Sequence, residues 1–272
     1  MRRSWINILL FILTVTSTWL TGGPSYSIAI MLILLGHELG HYFVSRKHGI
    51  RATLPYFLPF PLSPFGTLGA VIRMESTVSS RKALFDTGAA GPLTSLCLSI
   101  PAILVGLKLS EVVPTSQLKE GTLRLADPLL FSLLERVVNG EVPKTSDIIL
   151  HPLGYAGWVG LFVTALNLLP IGQLDGGHIA YALFGKRSRI IFLVAIAAMA
   201  FITVFYNPGW LLLLVLFIVF GFRHPAPVDD LTPLDRKRKV LSVIVFFAFL
   251  LSFTPVPFPD FVKELRDTFH WF

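Results

Sequence analysis

The sequence predicts an all-α polytopic membrane protein of about six to seven transmembrane helices, with a re-entrant β-hairpin near its chemical site. Three observations predict it. Of 272 residues, 53% are hydrophobic and 14% are charged, against about 25% charged in a soluble domain. The apolar residues gather in runs long enough to cross a bilayer. The basic residues behind the net charge of +7 sit at the ends of those runs, as membrane topology demands. They form no nucleic-acid-binding face, so the partners implied are the lipid bilayer and no nucleic acid.

Apolar runs near residues 5–21, 26–45, 84–109, 153–171, 189–206, 209–222 and 240–254 read as spans. The first run has the basic start of a secretory leader, Arg2-Arg3, but it is long for one and no small-residue cleavage site follows. A retained first span is therefore expected. Asn207-Pro208-Gly209 reads as a tight turn between two spans. Basic groups at Arg2-Arg3, Arg46-Lys47-Arg51, Arg81-Lys82, Lys186-Arg187-Arg189, Arg223 and Arg236–Lys239 alternate correctly if the N-terminus is cytoplasmic. The expectation is a multi-pass protein, in a bacterial inner membrane. The polar insert from Ser110 to His151, with Asp127, Glu135, Glu141 and Asp147, then lies outside as a small cap or loop. The whole reads as one transmembrane domain over residues 1–272. Its core covers about residues 26–180, its extracytoplasmic insert about 110–152 and its C-terminal helices about 189–254. Cys97 is the one cysteine and reads as a small buried hydrophobe.

Residues 52–74 follow different rules. The prolines of Leu54-Pro55-Tyr56-Phe57-Leu58-Pro59-Phe60-Pro61 exclude a regular helix, yet the segment is too apolar for a solvated loop. Phe65–Arg73 reads as a glycine turn leading into a short strand. Non-helical backbone at membrane depth survives only when buried in protein or lining a wet cavity.

His37-Glu38-Leu39-Gly40-His41 is an H-E-x-x-H motif set directly behind the run Ser27–Leu35. Histidines at i and i+4 share a helix face and can hold one Zn2+ ion per chain, and the glutamate beside them can act as a base toward water. Acidic and basic groups in such a segment cost roughly 2.5–3.5 kcal/mol each on insertion scales, so a chain that keeps them uses them. A catalytic zinc usually takes three protein ligands. Asp175, in Asn167-Leu168-Leu169-Pro170-Ile171-Gly172-Gln173-Leu174-Asp175-Gly176-Gly177-His178, is the best third candidate. The span carrying H-E-x-x-H and the one ending at Pro170 both run inward and deliver their polar groups to the same side. His178 reads as a structural hydrogen-bonding group rather than a fourth ligand.

H-E-L-G-H inside a span, followed far downstream by N-x-x-P-x-x-x-x-D-G (Asn167, Pro170, Asp175, Gly176), resembles the site-2 protease family of intramembrane zinc metalloproteases. Phe85–Pro92 resembles that family's A-G-P element, and the glycine hairpin has a counterpart there. The resemblance covers roughly residues 26–180, and the absence of a PDZ insert points to a compact branch. It implies cleavage of a substrate's transmembrane helix near the cytoplasmic face. It also implies that Glu38 is the general base and that Asn167 hydrogen-bonds the substrate backbone or the tetrahedral intermediate. The strand through Gly66, Gly69 and Val71 is a candidate platform for an extended substrate by strand addition. The competing class is a zinc-binding transporter or non-proteolytic scaffold. Concentration of the polar groups at one depth, and the presence of Glu38, argue for an enzyme.

Overall fold

The computed structural model describes residues 4–75, 78–118, 124–143, 145–221, 225–260 and 262–263. The basic groups Arg2, Arg3 and Arg223 lie outside the described residues. The first helix, α1 (Ser4–Lys47), breaks at Gly23, whose φ of 77° only glycine adopts readily. Pro24 follows it. Thr18 Oγ1 lies 2.8 Å from Ser27 Oγ, and Ser27 donates to the Val15 carbonyl at 3.1 Å. Nine residues of straight helix would separate Thr18 and Ser27 by about 13.5 Å. α1 therefore folds back into two antiparallel limbs, which correspond to the first two spans read from the sequence.

The proline-broken segment forms strand β1 (Tyr56–Pro59), paired antiparallel with β2 (Thr67–Val71). Tyr56 faces Val71 and Phe57 faces Ala70, and the register shifts before Pro59 pairs with Thr67. This hairpin lies along the first limb of α1. At its base the Asn7 side chain donates to the Leu54 and Pro55 carbonyls. At its tip Ser17 donates to the Gly66 carbonyl at 2.6 Å, and the Tyr26 hydroxyl to that of Phe65 at 2.8 Å. Side chains thus satisfy backbone groups that no helix or wider sheet takes up.

α2 (Arg81–Lys108) is the central helix, capped by the Ser80 hydroxyl, which accepts from the Ala83 amide. It packs against α1, against α4 (Pro152–Asn167) and against α5 (Asp175–Phe184). Where α2 crosses α4, Gly106 faces Gly154, and a Cβ on Gly106 would run into the Gly154 backbone. The run expected as a span over 153–171 is helical from Pro152 and is followed by a second, separate helix. Its helix stops at Asn167, three residues before Pro170, because the residue preceding a proline is pushed out of the helical region. A new helix, α5, starts at Asp175.

The insert is more structured than a loop. It contains β3 (Glu111–Pro114) paired antiparallel with β4 (Ser146–Ile149), and the amphipathic helix α3 (Leu129–Asn139) between them. Here Asp127 is pushed up to about 6, first by burial and then by the carboxylates of Glu135 and Asp147. α6 (Ser188–Phe205), α7 (Leu211–Phe220) and α8 (Arg236–Ser252) complete the bundle. Arg238 at the start of α8 binds Asp86 in α2 through Nε at 2.7 Å and through its second nitrogen. His48, just past α1, reaches the same carboxylate at 2.9 Å. At the opposite end the segment after α8 ties the helices together, its Pro255 carbonyl accepting from the Trp210 indole at 2.7 Å. Phe258 there packs among Phe65, Trp158 and Phe162. Three helical stretches among the described residues are long and apolar enough to cross a membrane: Trp5–Lys47, Arg81–Lys108 and Asp175–Phe205. Cys97, expected to be buried, is exposed on α2.

This packing sets two expectations. Gly106→Val should force α2 and α4 apart and lower stability by about 3 kcal/mol or more, at the upper end of overpacking costs, read as thermal unfolding in detergent. Asp127 binds its proton more tightly folded than unfolded, so stability falls as pH rises from its ordinary value through about 6. Asp127→Asn should therefore raise the melting temperature at pH 7.5, with the gain shrinking toward pH 4.

Candidate metal centre

The second limb of α1 carries His37, Glu38 and His41, all buried, with exposures of 3%, 6% and 5%. The break between α4 and α5 brings Asp175 to them from more than a hundred residues away. His37 Nε2 and His41 Nε2 are 3.1 Å apart, and each lies 3.3 Å from Asp175 Oδ2. Among the described residues these three form the group able to hold a metal ion. Tetrahedral zinc with bonds of roughly 2.0–2.1 Å separates its ligands by about 3.3–3.4 Å. The three atoms thus already form one face of such a tetrahedron, and two imidazoles with a carboxylate are a donor set suited to zinc.

Local structure explains how His41 and Asp175 are held. The i, i+4 spacing puts both imidazoles on one face of α1, with ring centroids 4.8 Å apart. His41 Nδ1 lies 2.8 Å from the Thr87 carbonyl in α2. A carbonyl can only accept, so Nδ1 carries the proton and Nε2 is left free for a metal. Asp175 stands in the first turn of α5, where the positive end of the helix favours a carboxylate. Gly176 makes this turn fit, since a Cβ there would meet the Leu168 and Leu169 carbonyls at the end of α4.

Glu38 is close enough to interact electrostatically with His41 and Asp175, and the Ile72 backbone amide approaches its carboxylate. The alternation of the hairpin accounts for this. Arg73 turns its carbonyl toward the β1 side, where the Thr53 amide takes it at 3.0 Å, so the neighbouring Ile72 amide points the other way. Asn167 Nδ2 lies 3.2 Å from His37 Nε2, on the rim of the ligand triangle.

The structure brings His37, Glu38, His41, Asn167 and Asp175 together. The hairpin residues are spread along its length. Val71 is half exposed and adjoins Ile72 beside Glu38. Gly69, at φ 99°, has open space where a side chain would project. Gly66 sits at the tip, its carbonyl taken by Ser17 and the Phe60 amide, so it serves the hairpin's own packing. His178 stays outside the ligand triangle. The sequence pattern does not reveal two contributors, the Thr87 carbonyl and the Ile72 amide. Both are backbone groups, which every residue type possesses, so no side chain could announce them.

The family model for peptidase family M50 matches residues 25–207. The chain is 31% identical over 235 residues to the probable zinc metalloprotease EGY1, chloroplastic, of Arabidopsis thaliana, covering 84% of this chain and 42% of that protein. It is 31% identical over 254 residues to the probable zinc metalloprotease EGY2, chloroplastic, of the same plant, covering 88% and 43%. The EGY2 protein of Oryza sativa subsp. indica is 29% identical over 256 residues, covering 89% and 44%. The chain thus spans less than half the length of these curated relatives. No solved structure matches it.

Replacing any one of His37, His41 or Asp175 by Ala should lower bound zinc from about one per chain to near zero, measured by elemental analysis of purified protein. Glu38→Gln should leave the metal content unchanged.

Proposed function

The chain belongs to peptidase family M50, and from that premise we propose that it is an intramembrane zinc endopeptidase that hydrolyses a peptide bond within or near a transmembrane helix of a membrane-protein substrate. The observation that carries the reading is the convergence of two imidazoles and one distant carboxylate on a single point, with a buried glutamate beside them. A metal-binding site of a carrier or scaffold has no need of that glutamate.

Zinc held by His37, His41 and Asp175 would supply Lewis-acid polarisation of the scissile carbonyl and a water acidic enough to ionise near neutral pH. Glu38 accepts the proton of the attacking water and returns it to the leaving amine. The Ile72 amide orients that carboxylate. Asn167, with its amide at the rim of the triangle, donates to the oxygen on which negative charge develops, a role worth about 10²–10³ in rate where it has been measured in other enzymes.

Peptide hydrolysis requires the substrate helix to unwind, since helical carbonyls are engaged in backbone bonds. β2 is proposed as the re-entrant template. One of its edges pairs with β1, while Ile72, just past its end, turns its amide outward to Glu38. An extended segment added along that outer edge is carried to the glutamate and the metal. The aromatic cluster of Tyr155, Trp158, Phe162 and Phe258 lies toward the end of the bundle opposite the basic residues at 46–51 and 236–239. Water is therefore proposed to reach the metal from the basic side. By the same charge pattern we place the N-terminus on the cytoplasmic or topologically equivalent side, with six to seven crossings. The chloroplastic names of the plant relatives lend no weight to a bacterial inner membrane, and the charge argument holds for either setting.

The test uses full-length protein in detergent and a generic transmembrane peptide. Glu38→Gln should retain zinc and lose at least about 10²-fold in kcat; unchanged turnover would remove Glu38 from the chemistry. Val71→Pro should slow cleavage through a weaker KM with zinc content intact, and normal kinetics in that variant would count against strand addition. Asn167→Ala should depress kcat by about 10²-fold with little change in KM.

A further inference from the structure

We infer that Gly91 is a positioning residue for the metal centre. Its missing side chain is the seat for the His41 imidazole, and with the Thr87 carbonyl it fixes the direction in which Nε2 points. A Cβ built on Gly91 would lie 2.6 Å from His41 Cδ2 and Cε1 and closer still to Nε2. The three nearest heavy atoms to that Cβ all belong to this one ring. Neighbouring glycines in the same helix pair behave differently. A Cβ on Gly40 would meet the Ala90 carbonyl and Thr94, which is ordinary close packing of α1 on α2.

Gly91 and Thr87 are four residues apart in α2 and so share one face. That face offers the ring two contacts of different kinds. The Thr87 carbonyl takes Nδ1–H at 2.8 Å, which sets tautomer and in-plane rotation. Gly91 lies against the ring near Nε2, which limits tilt. Pro92 follows in the same helix and, lacking an N–H, leaves the Gly88 carbonyl without its helical donor. A side chain at position 91 would push Nε2 out of the triangle it forms with His37 and Asp175. The inference rests on His41 being a ligand, which the zinc content of wild type and His41→Ala tests independently.

The experiment measures zinc affinity by competition with a chromophoric chelator, and the visible spectrum of the cobalt-substituted protein, for wild type and Gly91→Ala in detergent. Gly91→Ala should bind zinc about 10–100-fold more weakly, the usual loss when a group that orients a ligand is altered. Its cobalt bands should shift in position and intensity. Wild-type affinity together with a wild-type cobalt spectrum would overturn the proposal. A second measurement covers the case in which Gly91→Ala folds poorly. In metal-free protein the loss of melting temperature caused by Gly91→Ala should disappear in a His41→Ala background, because the clash is with the imidazole. An equal loss in both backgrounds would show that Gly91 serves helix packing alone, and the inference would fall.

Discussion

The constraint on which the structure depends is the burial of two imidazoles and two carboxylates among apolar helices. Each ionisable group removed from water is costly unless it is paired, hydrogen-bonded or bound to a metal. Nε2 of His37, Nε2 of His41 and Oδ2 of Asp175 meet that condition together, at mutual separations of 3.1–3.3 Å, because one divalent cation can satisfy all three. Much of the backbone architecture is legible as the means of bringing those atoms to one point.

Two local departures from regular helix and one bare helix face accomplish this. The fold-back at Gly23 lets the second limb of α1 descend beside the first, with the hairpin laid against the first limb. The break between Asn167 and Asp175 halts one helix and starts another at the depth of the metal, so that an α5 N-terminus faces the histidines. The helical face of α2 that carries Thr87 and Gly91 sets a backbone carbonyl and a bare glycine against His41. Glycine or proline is present at each departure, since both relax the rules that otherwise keep a chain helical. Irregular backbone in an apolar setting is tolerable only where protein supplies the missing hydrogen bonds. Ser17, Tyr26 and Asn7 do this for the hairpin.

In the proposed mechanism the hairpin joins substrate handling to chemistry. Its end supplies an amide to Glu38, and its free edge is the proposed template for the peptide. An extended substrate on that edge and the proton acceptor would then be positioned by the same short strand. The ion cluster of Asp86, Arg238 and His48 anchors the second turn of α2 one residue before Thr87. This ties α8 and the end of α1 to the helix that seats His41.

Much of the site was readable from residue types at defined spacings. His37, Glu38 and His41 declare themselves by helical periodicity, and Asn167, Pro170, Asp175 and Gly176 by their order around a helix stop. Long apolar runs were readable as helices, three of them among the described residues long and apolar enough to cross a bilayer, and the prolines of residues 54–61 ruled out helix by geometry alone. The tertiary structure decided that Asp175 reaches the histidines, that the Gly66 carbonyl is taken by α1 while Ile72, next to Val71, approaches Glu38, and that the insert folds as a hairpin with a helix. It also decided the roles of Thr87, Ile72 and Gly91. Those roles belong to a carbonyl, an amide and an absent side chain. Such groups carry no signature in the alphabet of side chains and acquire meaning only through what another helix places against them.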